Sequence, residues 1–410
     1  MRAHSLSLVC LIVRLGLGAP CAGAQVRPGI EVLLTDSARL VVGKRLALLT
    51  NQTGVDRAGR RDIDLLRSIP GARLVLILGP EHGIRGTEDR PGLADGVDSA
   101  TGLPIYSMYG GTPLSAIGAL DSVDVVLVDL QDVGARYYSY PATTVALMAE
   151  AARRGKPVVV LDRPNPVAGL LVQGNVATFE RVTRVTDFLP VAIRHGMTLG
   201  ELSLLANDAL GIHARLTVVP AVGWRRSMYY DDTGMLWVRP SLNMPDMNSA
   251  LLYAGTCLFE ATSLSVGRGT LVPFQVIAAP WLDTASVLQA WRAAARTGDR
   301  LTGIEAVSDT VTPRAPSDGK YDGVKLRAIR LRVTDRGRYD PTRAAVVLLA
   351  ALRAAQPDSL RFAAERFDRL AGGPDLRRAI QGGVSPATIF QGWDSTLARF
   401  REARLKYLLY

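Results

Sequence analysis

The chain has 410 residues, 48% of them apolar and 21% charged, and a formal net charge of +10. That length exceeds the roughly 100–200 residues of one typical domain, so two cores are expected. The composition, with no low-complexity tract or internal repeat, excludes a disordered or solenoid chain.

Residues 1–24 combine Arg2, an apolar stretch from Leu6 to Leu17 and a small-residue cleavage site at Ala22-Gly23-Ala24, which predicts a secretory signal removed before Gln25. Pro20 ahead of Cys21 and Arg14 within the apolar stretch disfavour a lipid anchor and a membrane helix. Later apolar runs fall short of the ~20 residues that span a bilayer, so a secreted or periplasmic protein with no membrane anchor is expected. Loss of the signal takes Cys10 and Cys21 with it and leaves Cys257, expected as a packed core residue. It also removes Arg2 and Arg14, which takes the net charge from +10 to +8. A basic surface attracts polyanions, yet no basic run is interleaved with aromatics, so no nucleic acid is expected. An anionic cell-wall glycan is the expected partner instead; nothing in the sequence sets an oligomeric state.

Continuous apolar runs at 45–54, 72–83, 123–134 and 156–166 each stop at a polar or glycine-rich turn, as strands buried on both faces do. Helical patterns lie between them at 60–69, 113–120 and 140–155. This alternation predicts an α/β, Rossmann-like parallel sheet with right-handed crossovers over residues 25–225. From 226 to 410 the pattern becomes mixed. A loop-rich stretch over 237–270 precedes strand-like runs at 273–283 and 325–335 and a helix over 341–356, which predicts a smaller α+β auxiliary domain.

Ligands of open parallel sheets bind beyond the carboxyl ends of the strands. Asn51, Glu81, His82, Asp129, Asp132, Arg136, Asp162, Arg163 and Asn165 all fall within a few residues of predicted strand ends, with Arg85 close behind. His195 precedes a capping box formed by Thr198 and Glu201, which favours a structural Glu201. No G-x-G-x-x-G follows the first strand and no G-x-S-x-G is present, while His82, His195 and His213 are too widely spaced for a zinc site. A nicotinamide oxidoreductase, a serine hydrolase and a zinc enzyme are therefore disfavoured, and no cofactor or metal is expected.

The successive blocks LLTNQTGVD, GPEHGIRG, VDLQDVGARYYSY, LDRPNP, RHGMTLGEL, PSLNMP, CLFEATSLSVGRGT and APWLD resemble the signature blocks of the exo-β-N-acetylmuramidase family typified by NamZ. The likeness runs from about residue 29 to the closing RLKYLLY. It implies a peptidoglycan-recycling glycosidase that removes non-reducing terminal N-acetylmuramic acid from peptide-free glycan fragments, with the active site between the Rossmann-like and auxiliary domains. A non-catalytic cell-wall glycan-binding protein is the alternative from another class.

Glycoside hydrolysis ordinarily needs two carboxyl groups. Glu81 is the first expected; Asp132 is favoured as the second over Asp129, Asp162, Glu201 and Glu260, with substrate-assisted attack by the acetamido group left open. Arg136 is expected to clamp the lactyl carboxylate while a ring among Tyr137, Tyr138 and Tyr140 stacks on the sugar, the alternative being that the tyrosines staple the next helix to the sheet. Asn51, His82, Arg85, Arg163, Asn165 and His195 are further candidate substrate ligands, and Asn243 and Arg268 are expected to reach the cleft from the auxiliary domain. The family pattern often carries acidic residues where this chain has Leu271 and Gln275, so ligand contacts made there would lose their charge.

Overall fold

The computed structural model describes residues 25–89, 92–177, 189–296 and 301–410. The expected leader at 1–24 lies outside them. The first half runs α1 (Gly29–Asp36), β1 (Arg45–Thr50), α2 (Asp62–Arg67), β2 (Arg73–Gly79), β3 (Gly96–Val97), β4 (Pro104–Ser107), β5 (Val125–Asp129), α3 (Ser139–Arg153), β6 (Val158–Leu161), β7 (Gln173–Val176), β8 (Ala192–Arg194), α4 (Leu199–Ala209) and β9 (Leu216–Val219).

Seven of these strands form one sheet in the order β3-β4-β2-β1-β5-β6-β9. Every neighbouring pair is parallel except β3–β4. The apolar runs explain the arrangement. Strand side chains alternate between faces, so Ala47, Leu49, Val126, Val128 and Val160 enter one core while Leu46, Leu48, Leu127, Val159 and Leu161 enter another. A strand that must be apolar on both faces reads as an uninterrupted apolar run. From β1 the chain winds outward through β2 to β4, then returns across the sheet to β5 and winds the other way through β6 to β9. The reversal lies between β1 and β5, the point where an open sheet leaves a crevice at its carboxyl edge.

The second half contains α5 (Met247–Thr256), β10 (Val276–Ala279), α6 (Thr284–Arg296), β11 (Ile304–Val311), β12 (Leu326–Val333), α7 (Pro341–Ala355), α8 (Ala364–Ala371), α9 (Asp375–Gln381) and α10 (Pro386–Ala403). Strands β10, β12 and β11 make an antiparallel sheet. Helix α7 begins with Pro341 and an Asp340 cap that accepts from the backbone N–H groups of Thr342 and Arg343, a start that satisfies donors the helix cannot. It packs closely on α5: a Cβ on Gly255 would lie 2.1 Å from the Pro341 carbonyl oxygen.

Two local expectations change. Residues 113–120 form two 3₁₀ turns, Leu114–Ala116 and Gly118–Ser122, in place of a helix, because the apolar stretch is too short to carry a nucleated α-helix. The loop-rich stretch from 237 holds α5, capped by Asp246. The capping box at Thr198 and Glu201 is present.

The two halves share a core. One continuous apolar cluster includes Leu49 and Val128 of the parallel sheet together with Leu258, Val346 and Leu349. The C-terminal segment also returns to the first half. Arg404 donates to the carbonyls of Gly169 and Gly196, the Leu409 N–H donates to Glu201, and the Tyr410 hydroxyl donates to Asp162 at 2.7 Å.

Candidate active site

Beyond the carboxyl ends of β2, β4 and β5 lies a cleft of about 220 Å³ whose far wall comes from α5, the segment 257–274 and α8. Glu81 enters it two residues after β2. The turn that delivers it is tight, since His82 and Gly83 both adopt left-handed backbone, with φ of 71° and 69°. A non-glycine residue with positive φ carries a local energetic cost, and such residues concentrate at functional sites.

The Ser139 hydroxyl, on the first residue of α3, donates to Glu81 Oε2 at 2.5 Å. Tyr109, two residues beyond β4, also hydrogen-bonds Glu81, and its hydroxyl is pushed up to about 12 by burial and then by the Glu81 charge.

The other two cleft carboxyls are held differently. Asp89 accepts from Asn243 Nδ2 at 2.7 Å and from Arg268 Nη1 at 3.1 Å, and lies 3.5 Å from His82 Nδ1. Burial alone would raise its pKa, but Ser317, Arg268, His82 and Asn243 outweigh burial and hold it below the usual carboxylate range. Glu260 pairs with Arg268 Nε and, at 3.3 Å, with Arg366 Nη2. Arg268 also lies 5.3 Å from the centroid of the Phe274 ring. Among the described cleft residues, Glu81 is thus the carboxyl met by hydroxyls where the others are met by guanidinium groups.

The floor is aromatic. Tyr253 stands edge-on to Tyr137, Tyr138 and Phe274, with centroids 5.6, 6.0 and 4.7 Å away. The Tyr137 hydroxyl donates to the Ala254 carbonyl. Cys257 is buried beneath this floor, and burial followed by the Glu260 charge pushes its thiol up, which suits a packed side chain.

The structure therefore brings Glu81, His82, Tyr137 and Arg268 into one cleft, with Asn243 bracing Asp89 behind it. The remaining expected ligands do not line it. Asp132 is buried, accepts from the Gly134 N–H at 2.8 Å and lies 3.4 Å from His195 Nε2. His195 in turn accepts from the Met197 N–H through Nδ1 at 3.1 Å, which leaves the proton on the nitrogen facing Asp132. The pair braces two loops in the interior, so Asp132 is not the second carboxyl of the cleft.

Arg136 is 1% exposed and donates to the carbonyls of Asn175, Val191 and Leu370, so it clamps backbone and not a lactyl group. Arg163 is buried against Asp129 and donates to the Val55 carbonyl at 2.7 Å. Asn165 donates to the Met197 carbonyl and accepts from the Val167 N–H. Asn51 donates to the Tyr140 hydroxyl and accepts from Thr53. Each of these four polar side chains satisfies backbone or neighbours in a packed interior, where an unpaired group would cost about 1–3 kcal/mol.

Arg85 faces a separate cavity behind the His82 turn and donates to Ser99 Oγ at 3.0 Å. Gln275 donates to Asp246 and Ser249, and Leu271 is exposed; neither lines the cleft, so their lack of charge leaves it unaltered. The sequence reading missed Asp89, Tyr109, Ser139, Arg366 and Arg369 as cleft residues. Ser139 lay within a quoted block; the others carried no local signal.

Comparison with known proteins places the chain. Residues 46–248 match the N-terminal and residues 251–410 the C-terminal family model of the exo-β-N-acetylmuramidase NamZ. The chain is 35% identical over 388 residues to the peptidoglycan β-N-acetylmuramidase NamZ of Bacillus subtilis, covering 94% of this chain and 92% of that protein. Two crystal structures of DUF1343-family proteins from Bacteroides fragilis superpose with TM-scores of 0.83 and 0.75. Each is 30% identical, and the match covers 94% of this chain and 99% of theirs.

Proposed function

The chain belongs to the exo-β-N-acetylmuramidase NamZ family, and on that premise we propose that Glu81 handles the proton at the glycosidic oxygen. The protein is an exo-acting glycosidase that releases non-reducing terminal N-acetylmuramic acid from peptidoglycan fragments. The observation that carries the assignment of Glu81 is its set of partners. Asp89 and Glu260 are neutralised by arginine, whereas Glu81 is held by the Ser139 and Tyr109 hydroxyls. A hydroxyl both donates and accepts, so Ser139 keeps the carboxyl in place whether or not it carries the proton. That is what a group cycling between acid and base requires.

The rest of the cleft fits one sugar. Its volume of about 220 Å³ is below the ~300–1,000 Å³ common for larger ligands, which suits removal of a single terminal residue. The aromatic floor offers an apolar face for the ring C–H groups. Asp89, paired with Arg268 and braced by Asn243, fixes the Arg268 guanidinium in the cleft wall.

Replacing Glu81 with Gln keeps the volume and one acceptor but removes the proton. The expected result, on a muramyl–glucosamine disaccharide, is loss of sugar release by roughly 10²–10⁴-fold, the range general acid–base catalysis supplies, with substrate binding retained. Turnover close to wild type would refute the assignment. Export to the periplasm or exterior belongs to the same proposal. It is supported by the leader-like residues 1–24 and is tested by fractionation and N-terminal sequencing of the native protein.

A further inference from the structure

We infer that Arg366 and Arg369 of α8 select the substrate through its lactyl carboxylate, the group that separates N-acetylmuramic acid from N-acetylglucosamine. This rests on the muramidase reading above. Both side chains line the cleft, and their spacing of three residues places them on one face of α8.

Each guanidinium is only partly used. Arg366 gives one nitrogen, Nη2, to Glu260 at 3.3 Å, and Arg369 gives one, Nη1, to Glu365 at 2.9 Å. Both side chains are 47% exposed, so the other N–H donors of each fork remain open to the cleft. Arg268, by contrast, spends Nε and Nη1 on Glu260, Asp89 and Ser317.

The carboxylates of this wall are already engaged: Asp89 and Glu260 face Arg268 and Arg366, and the Lys320 ammonium donates to the carbonyls of Glu260, Thr262 and Leu264 with the Asp318 charge beside it. An anion entering the cleft is met by the open N–H donors of Arg366 and Arg369. On a terminal muramic acid the lactyl carboxylate is the anionic group, and its two oxygens match a guanidinium fork in a way a sugar hydroxyl does not. Where a peptide is attached, that carboxylate becomes an amide, and the arginines lose their counter-ion. The α8 pair therefore predicts a preference both for muramic over glucosaminic ends and for unsubstituted over peptide-bearing lactate.

The test compares wild type with Arg366→Gln, Arg369→Gln and the double variant on a chromogenic β-N-acetylmuramide and on the same compound with its lactyl group as the methyl ester. Thermal melting confirms that the variants fold. The expected result is a loss in kcat/KM of about ten- to a hundredfold on the acid for the double variant, the scale of a charge-assisted hydrogen bond, with no loss on the ester. Equal losses on acid and ester, or no loss on the acid, overturn the inference. If wild type cleaves neither compound, the muramidase reading fails instead. Calorimetric titration with free N-acetylmuramic acid and its methyl ester then decides the role of α8: a preference for the acid that the double variant lacks sustains it, and the absence of a preference overturns it.

Discussion

Asp162 carries a pH dependence that the structure allows to be worked out. It directly follows β6, is fully buried, and accepts from Thr198 Oγ1 at 2.6 Å, the Gly200 N–H at 2.8 Å and the Tyr410 hydroxyl at 2.7 Å. Burial pushes its pKa up to about 7, with these three hydrogen bonds opposing the rise and the nearby Glu201 adding to it. Because the folded value lies above the unfolded one, the folded chain holds this proton more tightly. The stabilisation is complete below pH ~4 and is lost as pH rises towards 7. A shift of about three units corresponds to about 4 kcal/mol over the whole window and to about 3 kcal/mol between pH 5 and 8.

Asp162→Asn removes the titration while keeping the shape. Its amide oxygen can accept from Gly200, and its N–H groups can donate to the Thr198 and Tyr410 hydroxyls. Urea unfolding of both proteins from pH 4 to pH 8 is the assay. Relative to wild type, the variant should gain about 3 kcal/mol of stability between pH 5 and pH 8. A difference between the two that does not change with pH, or that falls as pH rises, would refute the reasoning.

Removing the hydroxyls around Glu81 tests whether they position it. Ser139→Ala and Tyr109→Phe should each lower kcat by roughly tenfold, about one net hydrogen bond, with KM little changed and melting temperature preserved; a change confined to KM would place them in substrate binding instead. The interior polar residues should behave in the opposite way. Arg163→Met leaves Asp129 buried without its partner and should cost about 3–5 kcal/mol by calorimetric unfolding, while the kcat/KM of the folded fraction stays near wild type.

The contrast between Glu81 and Asp132 shows how far local pattern reaches. Both follow apolar runs, and both sit at the carboxyl edge of the same sheet. In one case the His82–Gly83 turn lifts the carboxyl into the cleft; in the other the chain folds back under Gly134 and His195 and seals it in. Arg136 and Arg163 follow the same logic. A sheet covered on both faces has loop carbonyls and helix ends to satisfy within its interior, and polar residues at strand ends meet that need as often as they meet ligand. Asn51 and Asn165 hold their turns for the same reason.

What the amino-acid order determined by itself is the parallel sheet, since only a strand buried on two faces demands an unbroken apolar run, and with it the edge at which Glu81 and His82 emerge. The capping box at Thr198 and the strong α7 helix are local too, each formed by residues within a few positions of one another. How the cleft wall is assembled, and which α8 residues join Arg268 in it, was decided by tertiary structure. Arg366 meets Glu260 from 106 residues away and Arg268 meets Asp89 across 179; away from the cleft, Tyr410 reaches Asp162 across 248. Contacts over such separations leave no periodicity in the chain, because they depend on how two finished layers pack and not on how any one segment folds.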